Sequence, residues 1–489
     1  MISLDEALQS IRDCLRVPES ENVTLAAAHG RILPQPVFSR FNQPPFDKAA
    51  MDGWVWLAAP GQALPEQPLK AVATVAAGKA AVAADGRAAG VLRPGMAMRI
   101  MTGAALPAWS AELLTAADSV GPAVDEPASI SLDAGGRRTA AAGKAAGNDV
   151  TGNEAAGLQP RIQRFEWSEE KDGLVFFSRK ESERNIIYCG ENIRAGDCLL
   201  EPGLLKAQDI GMLAADGRSE IELARRLKVG VVSTGTELVD AAATQELGAN
   251  QIYDSNRPQL LAQLSGFPCE LTDYGIVSDD YEQTKTLLRT ALLDNDLLVL
   301  SGGVSMGDFD YVPKALQELG VQTVFHGVAM KPGKPTYFGR LGTVRLETAP
   351  TGASAPTRDG LAAAGRCSTT PDGVSAAVSP DRYAIGLPGN PVSVFVNTEV
   401  LVKPLLAALS GLDLPAPVVQ VPLVTAMRRR NAERAEFLPV RCVPGGVEAV
   451  PYGGSSALQA LAAADGFVVL PAACAEIKEG ELADVRFVR

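Results

Sequence analysis

"LVLSGGVSMGDFDYV" occupies residues 298–312. An oily run stops at Ser301, and three glycines and two aspartates follow before the next apolar pattern begins. A short continuous apolar run bounded by turn residues reads as a strand buried on both faces. Gly302, Gly303 and Gly307 leave the backbone without Cβ atoms, so N–H groups there are expected to approach a ligand. Asp308 and Asp310 fall at the start of the next helix, where carboxylates suit the positive end of its dipole. The same stretch also reads as an ordinary strand-to-helix turn with an N-cap aspartate.

The surroundings shift the balance toward a site. From Lys228 onward, "LKVGVVSTG", "CELTDYGIV", "DLLVLSGG" and "VFHGVAM" read as strands. "RPQLLAQLSG", "DYEQTKTLLRTALL" and "YVPKALQELG" read as helices between them. Alternation of this kind predicts a central doubly wound, mostly parallel α/β domain, in which ligands sit beyond the carboxyl ends of the strands. On that edge fall Ser233, Thr234 and Glu237 in "VVSTGTEL", and Asp279 and Asp280 in "YGIVSDD". Carboxylates ~4 Å apart would repel by ~4 kcal/mol at an effective dielectric of 20. A hard cation such as Mg²⁺, held by one or two carboxylates plus ligand oxygens, would relieve that.

Two further loops supply positive charge. In "AMKPGKPTYFG", Lys331 and Lys334 flank a Pro-Gly turn, without the spacing of a Walker A loop. In "GLPGNPVSVFVNTEVLVKPLL", Asn390 reads as N-cap and Pro391 as the first helical residue, and the free N–H groups beyond them could hold an anion. Lysines, a helix start and acidic loops around a cation suit a phosphorylated substrate. No Ser-His-Asp or Cys-His arrangement assembles.

Composition narrows the functional classes. A chain of 489 residues is too long for one core. The net charge of −12 argues against non-specific nucleic-acid binding. Two histidines, His29 and His326, exclude a histidine-rich metal centre. Seven scattered cysteines without a CxxC pair point to free thiols in the cytoplasm. The amphipathic N-terminus does not read as a signal peptide, and no apolar stretch reaches ~20 residues, so no membrane span is expected. Two Ala/Gly/Ser/Thr-rich insertions, 121–160 and roughly 342–380, offer too few large apolar side chains to offset the entropy of ordering. The second lies between two strands, "KPTYFGRL" and "RYAIGLPGN", of an expected hairpin. Residues 38–197 otherwise read as a β-rich domain.

Nine stretches in order, "AHGRILPQPV", "FDKAAMDGW", "RIMTGAALP", "GENIRAGD", "VVSTGTEL", "IYDSNRPQL", "SGGVSMGDFDYV", "MKPGKP" and "GLPGNPVSV", resemble the molybdopterin molybdenumtransferase (MoeA) family, to which the gephyrin E domain is related. The resemblance runs from about Leu4 to the C-terminus, outside the two insertions. It implies an elongated discontinuous domain (1–37 and 198–227), the β-rich domain (38–197), the α/β molybdopterin-binding domain (228–416) and a small C-terminal β-barrel-like domain (417–489). It also implies a homodimer, whose site lies between the α/β domain of one subunit and the β domain of the other. There adenylylated molybdopterin, delivered by an upstream adenylyltransferase, would be cleaved with Mg²⁺, releasing AMP as molybdate is inserted.

Residue by residue, the resemblance makes Asp52 and Thr102 catalytic from the β domain. Glu237, Asp279 and Asp310 become catalytic and metal-holding residues on the α/β domain. Ser301, Gly302, Gly303, Ser305, Lys331, Lys334, Asn390 and Pro391 are the substrate-binding candidates, joined by Arg441 and Ser455 from the C-terminal domain. Taken alone, Asp52-Gly53 reads as a tight turn, Thr102 as a strand-end residue and Arg441 as a surface charge. Asn192 stands where many members carry aspartate, and Gly327 where some carry lysine. An adenylyltransferase sharing the α/β core, or a gephyrin-like scaffold, are the competing functions. The "MDGW" and "RIMTG" motifs argue against the first, and the intact acidic and lysine motifs against the second.

Overall fold

The computed structural model describes residues 1–14, 18–83, 86–109, 157–243, 246–305, 310–342, 381–413 and 418–488. Most of both insertions, and Gly307 and Asp308 of the quoted stretch, therefore lie outside the described residues. The chain forms two compact units: Met1–Gln35, Pro202–Gly211 and Arg218–Arg489 make one, and Pro36–Glu201 with Met212–Gly217 the other.

The larger unit is built on a six-stranded sheet whose strands, in chain order, are β1 (Leu227–Thr234), β2 (Cys269–Val277), β3 (Leu297–Ser301), β4 (Gln322–His326), β5 (Tyr337–Leu341) and β6 (Arg382–Leu387). Their spatial order is 2-1-3-6-5-4. The 2-1, 1-3 and 3-6 pairs are parallel, while β5 runs antiparallel to both β6 and β4. The sheet is thus mixed, with the expected β5–β6 hairpin turning its direction.

Four helices cover it: α1 (Asn256–Leu264), α2 (Tyr281–Asp294), α3 (Val312–Glu318) and α4 (Pro391–Leu409). Alternate side chains of a strand point to opposite faces. Val229, Val231, Leu297, Val299 and Ile385 accordingly pack with Leu260, Leu264, Val394 and Leu405 of α1 and α4. Val232, Leu298, Leu300 and Ala384 pack with Leu288, Ala291, Leu292 and Leu316 of α2 and α3. Burial on both faces is why β3 reads as an unbroken apolar run; each buried Leu or Val contributes roughly 1.5–3 kcal/mol. Helix α4 corrects one expectation. It is long and apolar enough to cross a membrane, yet 83% of its apolar window is buried within the fold, where it is the main core helix.

The N-terminal helix Leu4–Arg12 begins with a capping box between Ser3 and Glu6. Two short antiparallel ladders, Ser20–Thr24 with Glu220–Ala224 and Ile32–Leu33 with Gly203–Leu204, join segments far apart in sequence. After Gly411 (φ +85°) closes α4, the C-terminal residues supply five strands of a second, six-stranded sheet. In it Ala435–Val443 is flanked by Gly466–Leu470 and Gly446–Ala449. Met330–Lys331 joins this sheet as a parallel strand on Ala435–Glu436.

The smaller unit holds a seven-stranded mixed sheet in which Gly53–Ala58 pairs with Met96–Ile100 and with the edge strand Gln159–Arg164. Gly53–Ala58 is buried throughout. Val55 and Leu57 meet Met98, Ile100 and Ile162 on one face, and Trp54 and Trp56 meet Ala97 and Val175 on the other.

Candidate active site

Strand register places the motif loops of the larger unit on one edge. Ser233 at the end of β1 is level with Ile276 on β2 and Ser301 on β3, and Ser301 is level with Leu387 on β6. Tyr337 faces Gly386, and His326 faces Tyr337. Because two antiparallel pairings separate β4 from β6, β4 runs with the parallel strands and ends on the same edge. The loops carrying Glu237, Asp279, Asp310, the Lys331–Lys334 turn and Asn390 therefore all leave from that rim. His326 Nε2 donates to Val304 O at 2.8 Å, tying the start of the lysine loop to the glycine turn.

The acidic loops are stitched together. Asp279 accepts both the Thr236 N–H and its hydroxyl at 3.0 Å. Glu237 is exposed; its carboxylate lies over the Cα of Gly235, where an added Cβ would come within 2.8 Å of Oε2. Asp280 is the N-cap of α2, accepting the Gln283 N–H at 2.8 Å. Asp310 is partly exposed, two residues ahead of α3. Among the described residues, no group of three His, Cys, Asp or Glu side chains stands close enough to hold a metal ion. The carboxylates are hard oxygen donors that suit Mg²⁺ only if a substrate supplies further oxygens.

In the glycine turn, one of the three expected N–H groups is already engaged. The Gly302 N–H donates to Leu387 O at 3.0 Å, so it is not available to a ligand. Both glycines have positive φ, and a Cβ at Gly302 or Gly303 would lie 2.6 Å from Thr234 O or 2.8 Å from its Oγ1. The backbone is bare because Thr234 packs against it. Ser301 is buried and accepts the Asn256 side-chain amide at 2.8 Å; that amide also reaches Gly389 O at 2.7 Å. Ser305 is exposed.

In the lysine turn, Pro332 and Gly333 are buried while Lys331 and Lys334 are exposed. The buried Asn397 of α4 anchors it by accepting the Thr336 hydroxyl at 2.7 Å, and that hydroxyl also bonds Gly333 O at 2.8 Å. Lys331 pairs with the buried Glu436 at 2.7 Å. Lys334 has no such carboxylate partner among the described residues.

At the start of α4, one of the expected free donors is taken. Pro391 begins α4 with Asn390 as N-cap, but Asn390 makes no side-chain cap bond, and the Val392 N–H donates to Ser455 O at 3.0 Å. This bond docks the "YGGSSAL" loop on the helix and consumes one free donor. Arg441 is held by Glu448 across a two-stranded ladder, at 2.6–2.7 Å, as a surface pair.

In the smaller unit, the two motif residues meet directly. Asp52 Oδ1 accepts the Thr102 N–H at 2.6 Å and its hydroxyl at 2.7 Å. These two bonds hold the Asp52 carboxyl below its ordinary range. Gly53 is glycine of necessity, because a Cβ there would sit 2.2 Å from Gln163 O.

Sequence reasoning missed three supporting residues. Asn256 lay inside a quoted motif, but its reach to Ser301 and Gly389 depends on the fold. Arg257 holds Asp240 at 2.5 Å, Asp254 at 3.2 Å and also Asp273, pinning the loop after β1 to β2. Only the Asp254–Arg257 spacing hinted at it. Glu436 carries no local signal.

Three family models match along the chain: "MoeA N-terminal region (domain I and II)" over 2–217, "Probable molybdopterin binding domain" over 230–408 and "MoeA C-terminal region (domain IV)" over 423–488. The molybdopterin molybdenumtransferase of Haemophilus influenzae is 27% identical, over 98% of this chain and 97% of its own. That of Synechococcus elongatus is 34% identical over 61% of this chain and 64% of its own. The crystal structure of a molybdopterin biosynthesis MoeA protein from Pyrococcus horikoshii OT3 has the same fold, with a TM-score of 0.70 at 22% identity and full coverage of both chains. With the three regions present in order along its length, this chain belongs to the MoeA family, whose curated relatives are molybdopterin molybdenumtransferases.

Proposed function

We infer that this chain is a molybdopterin molybdenumtransferase of molybdenum cofactor biosynthesis, acting on adenylylated molybdopterin with release of AMP as molybdate is inserted. The observation that carries the reading is the shared rim, on which the loops of Glu237, Asp279 and Asp310 and the lysine turn converge by strand register. Phosphoanhydride cleavage depends on positioning and on stabilising developing negative charge. Lys331 and Lys334 neutralise the phosphate and molybdate oxyanions, and Glu436 fixes the Lys331 ammonium in place. Asp310 orients the attacking oxygen. Glu237 and Asp279, together with Asp310, are the carboxylates that would hold Mg²⁺ with substrate oxygens, and the ion would polarise the phosphoryl group. Asp52, ionised and fixed by Thr102, contributes from the smaller unit of a partner subunit in a cytoplasmic homodimer. The four-domain division given above is part of the same reading, as is supply of the substrate by an adenylyltransferase.

The test is reconstitution. Purified protein supplied with adenylylated molybdopterin, Mg²⁺ and molybdate should form active cofactor and release AMP stoichiometrically. Consumption of ATP to make the adenylylated pterin would indicate an adenylyltransferase instead, and absence of all turnover would indicate a scaffold. Running the assay with tungstate reads out the oxyanion preference.

A further inference from the structure

Beside the Asp52–Thr102 pair stands a cation to which no role has been given. Arg99 lies on the strand Met96–Ile100, level with Trp54 in the ladder that begins at Gly53 and Ile100. Its guanidinium sits 4.8 Å from the centroid of the Phe165 ring, which meets the buried Trp54 edge-on at 6.0 Å. After the two Thr102 bonds, its charge is a further, smaller cause of the lowered Asp52 pKa. Neighbouring guanidinium groups are engaged: Arg164 holds Glu181 at 2.7 and 3.2 Å, and Arg161 donates to the carbonyls of Glu181 and Gln62. Arg99 is exposed, and among the described residues no carboxylate pairs with it. Seating on an aromatic ring occupies the flat face of a guanidinium and leaves its in-plane N–H fork free. That fork matches the geometry of a tetrahedral oxyanion.

We propose that Arg99 is an oxyanion-binding residue of the Asp52–Thr102 site, its fork receiving a phosphate or molybdate group while Phe165 holds it in place. The proposal rests on the molybdenumtransferase reading and adds a binding group to it. The full-length protein and its R99M, R99K and F165L variants are titrated separately with AMP and with molybdate, and each is assayed for AMP release. R99M should bind one of the two anions about tenfold more weakly or worse, as expected for loss of a charge-assisted bond, with an unchanged melting temperature. Which titration weakens identifies the source of the oxyanion. R99K, which keeps the charge and loses the fork, should recover only part of the affinity, and F165L should lose part of it. Active wild type with R99M and R99K matching it for both anions would overturn the Arg99 assignment alone. Should R99M fail to fold, R99K decides, and wild-type affinity in it overturns the proposal. Wild type that binds neither anion and releases no AMP would overturn the molybdenumtransferase reading, and this proposal with it.

Discussion

Asp52 and Thr102 lie far apart in sequence, yet share one carboxylate oxygen across two hydrogen bonds. Thr102→Val removes the hydroxyl donor, so the Asp52 pKa, followed by NMR titration, should rise toward the ordinary carboxylate value. An unmoved pKa would mean the hydroxyl bond is unimportant. The folded-state pKa of Asp52 is depressed, so the contribution of its charge is present above the unfolded value of about 3.9 and lost as pH falls through the lower folded one. No ionisation of Asp52 should therefore appear in a pH–rate profile above about pH 5. Gly53→Ala drives a Cβ into Gln163 O. Urea unfolding should report a loss of about 1–3 kcal/mol, and wild-type stability would contradict the contact. At this scale the sequence singled out candidate residues but not what they touch. Asp52 and Thr102 were legible through their motifs. Arg441 was equally visible, yet its charge is taken up by Glu448.

Loops on the sheet rim are held by elements beneath them, and the lysine turn shows it best. Asn397 sits at 0% exposure on α4, bonded to Thr336 and, through its amide, to Ser393 O at 2.7 Å. Asn397→Leu leaves the Thr336 hydroxyl without this acceptor and crowds Gly333. It should cost about 1–3 kcal/mol in denaturant unfolding. It should also raise the KM for molybdate more than it lowers kcat, because the lysines are displaced rather than removed. An unchanged KM would detach the anchor from oxyanion binding. Strands β1, β2 and β3 were readable because burial on two faces leaves unbroken apolar runs. The glycine turn after β3 was located correctly, and the fold adds a packing reason for its glycines at 302 and 303. Its bare backbone accommodates Thr234, a contact between strand ends that no local pattern encodes. The N-terminus of α4 was likewise placed at Asn390 and Pro391, while its capping by Ser455 O comes from a loop near the other end of the chain.

For the molecule as a whole, the order of motifs along the chain identified the family, and strand register brought most of them to one rim. The proposed dimer has its own test. If Asp52 of one subunit serves the rim of the other, D52N and D310N chains, each inactive alone, should regain AMP release when co-assembled, since one of the two sites is then intact. No recovery in verified heterodimers would place both residues in one subunit's site. The central claim is that the rim carboxylates and lysines cleave the phosphoanhydride, and Mg²⁺-dependent AMP release by Asp310→Asn measures it most directly. The account predicts that D310N retains the wild-type melting temperature and loses AMP release. Full AMP release by D310N would contradict it.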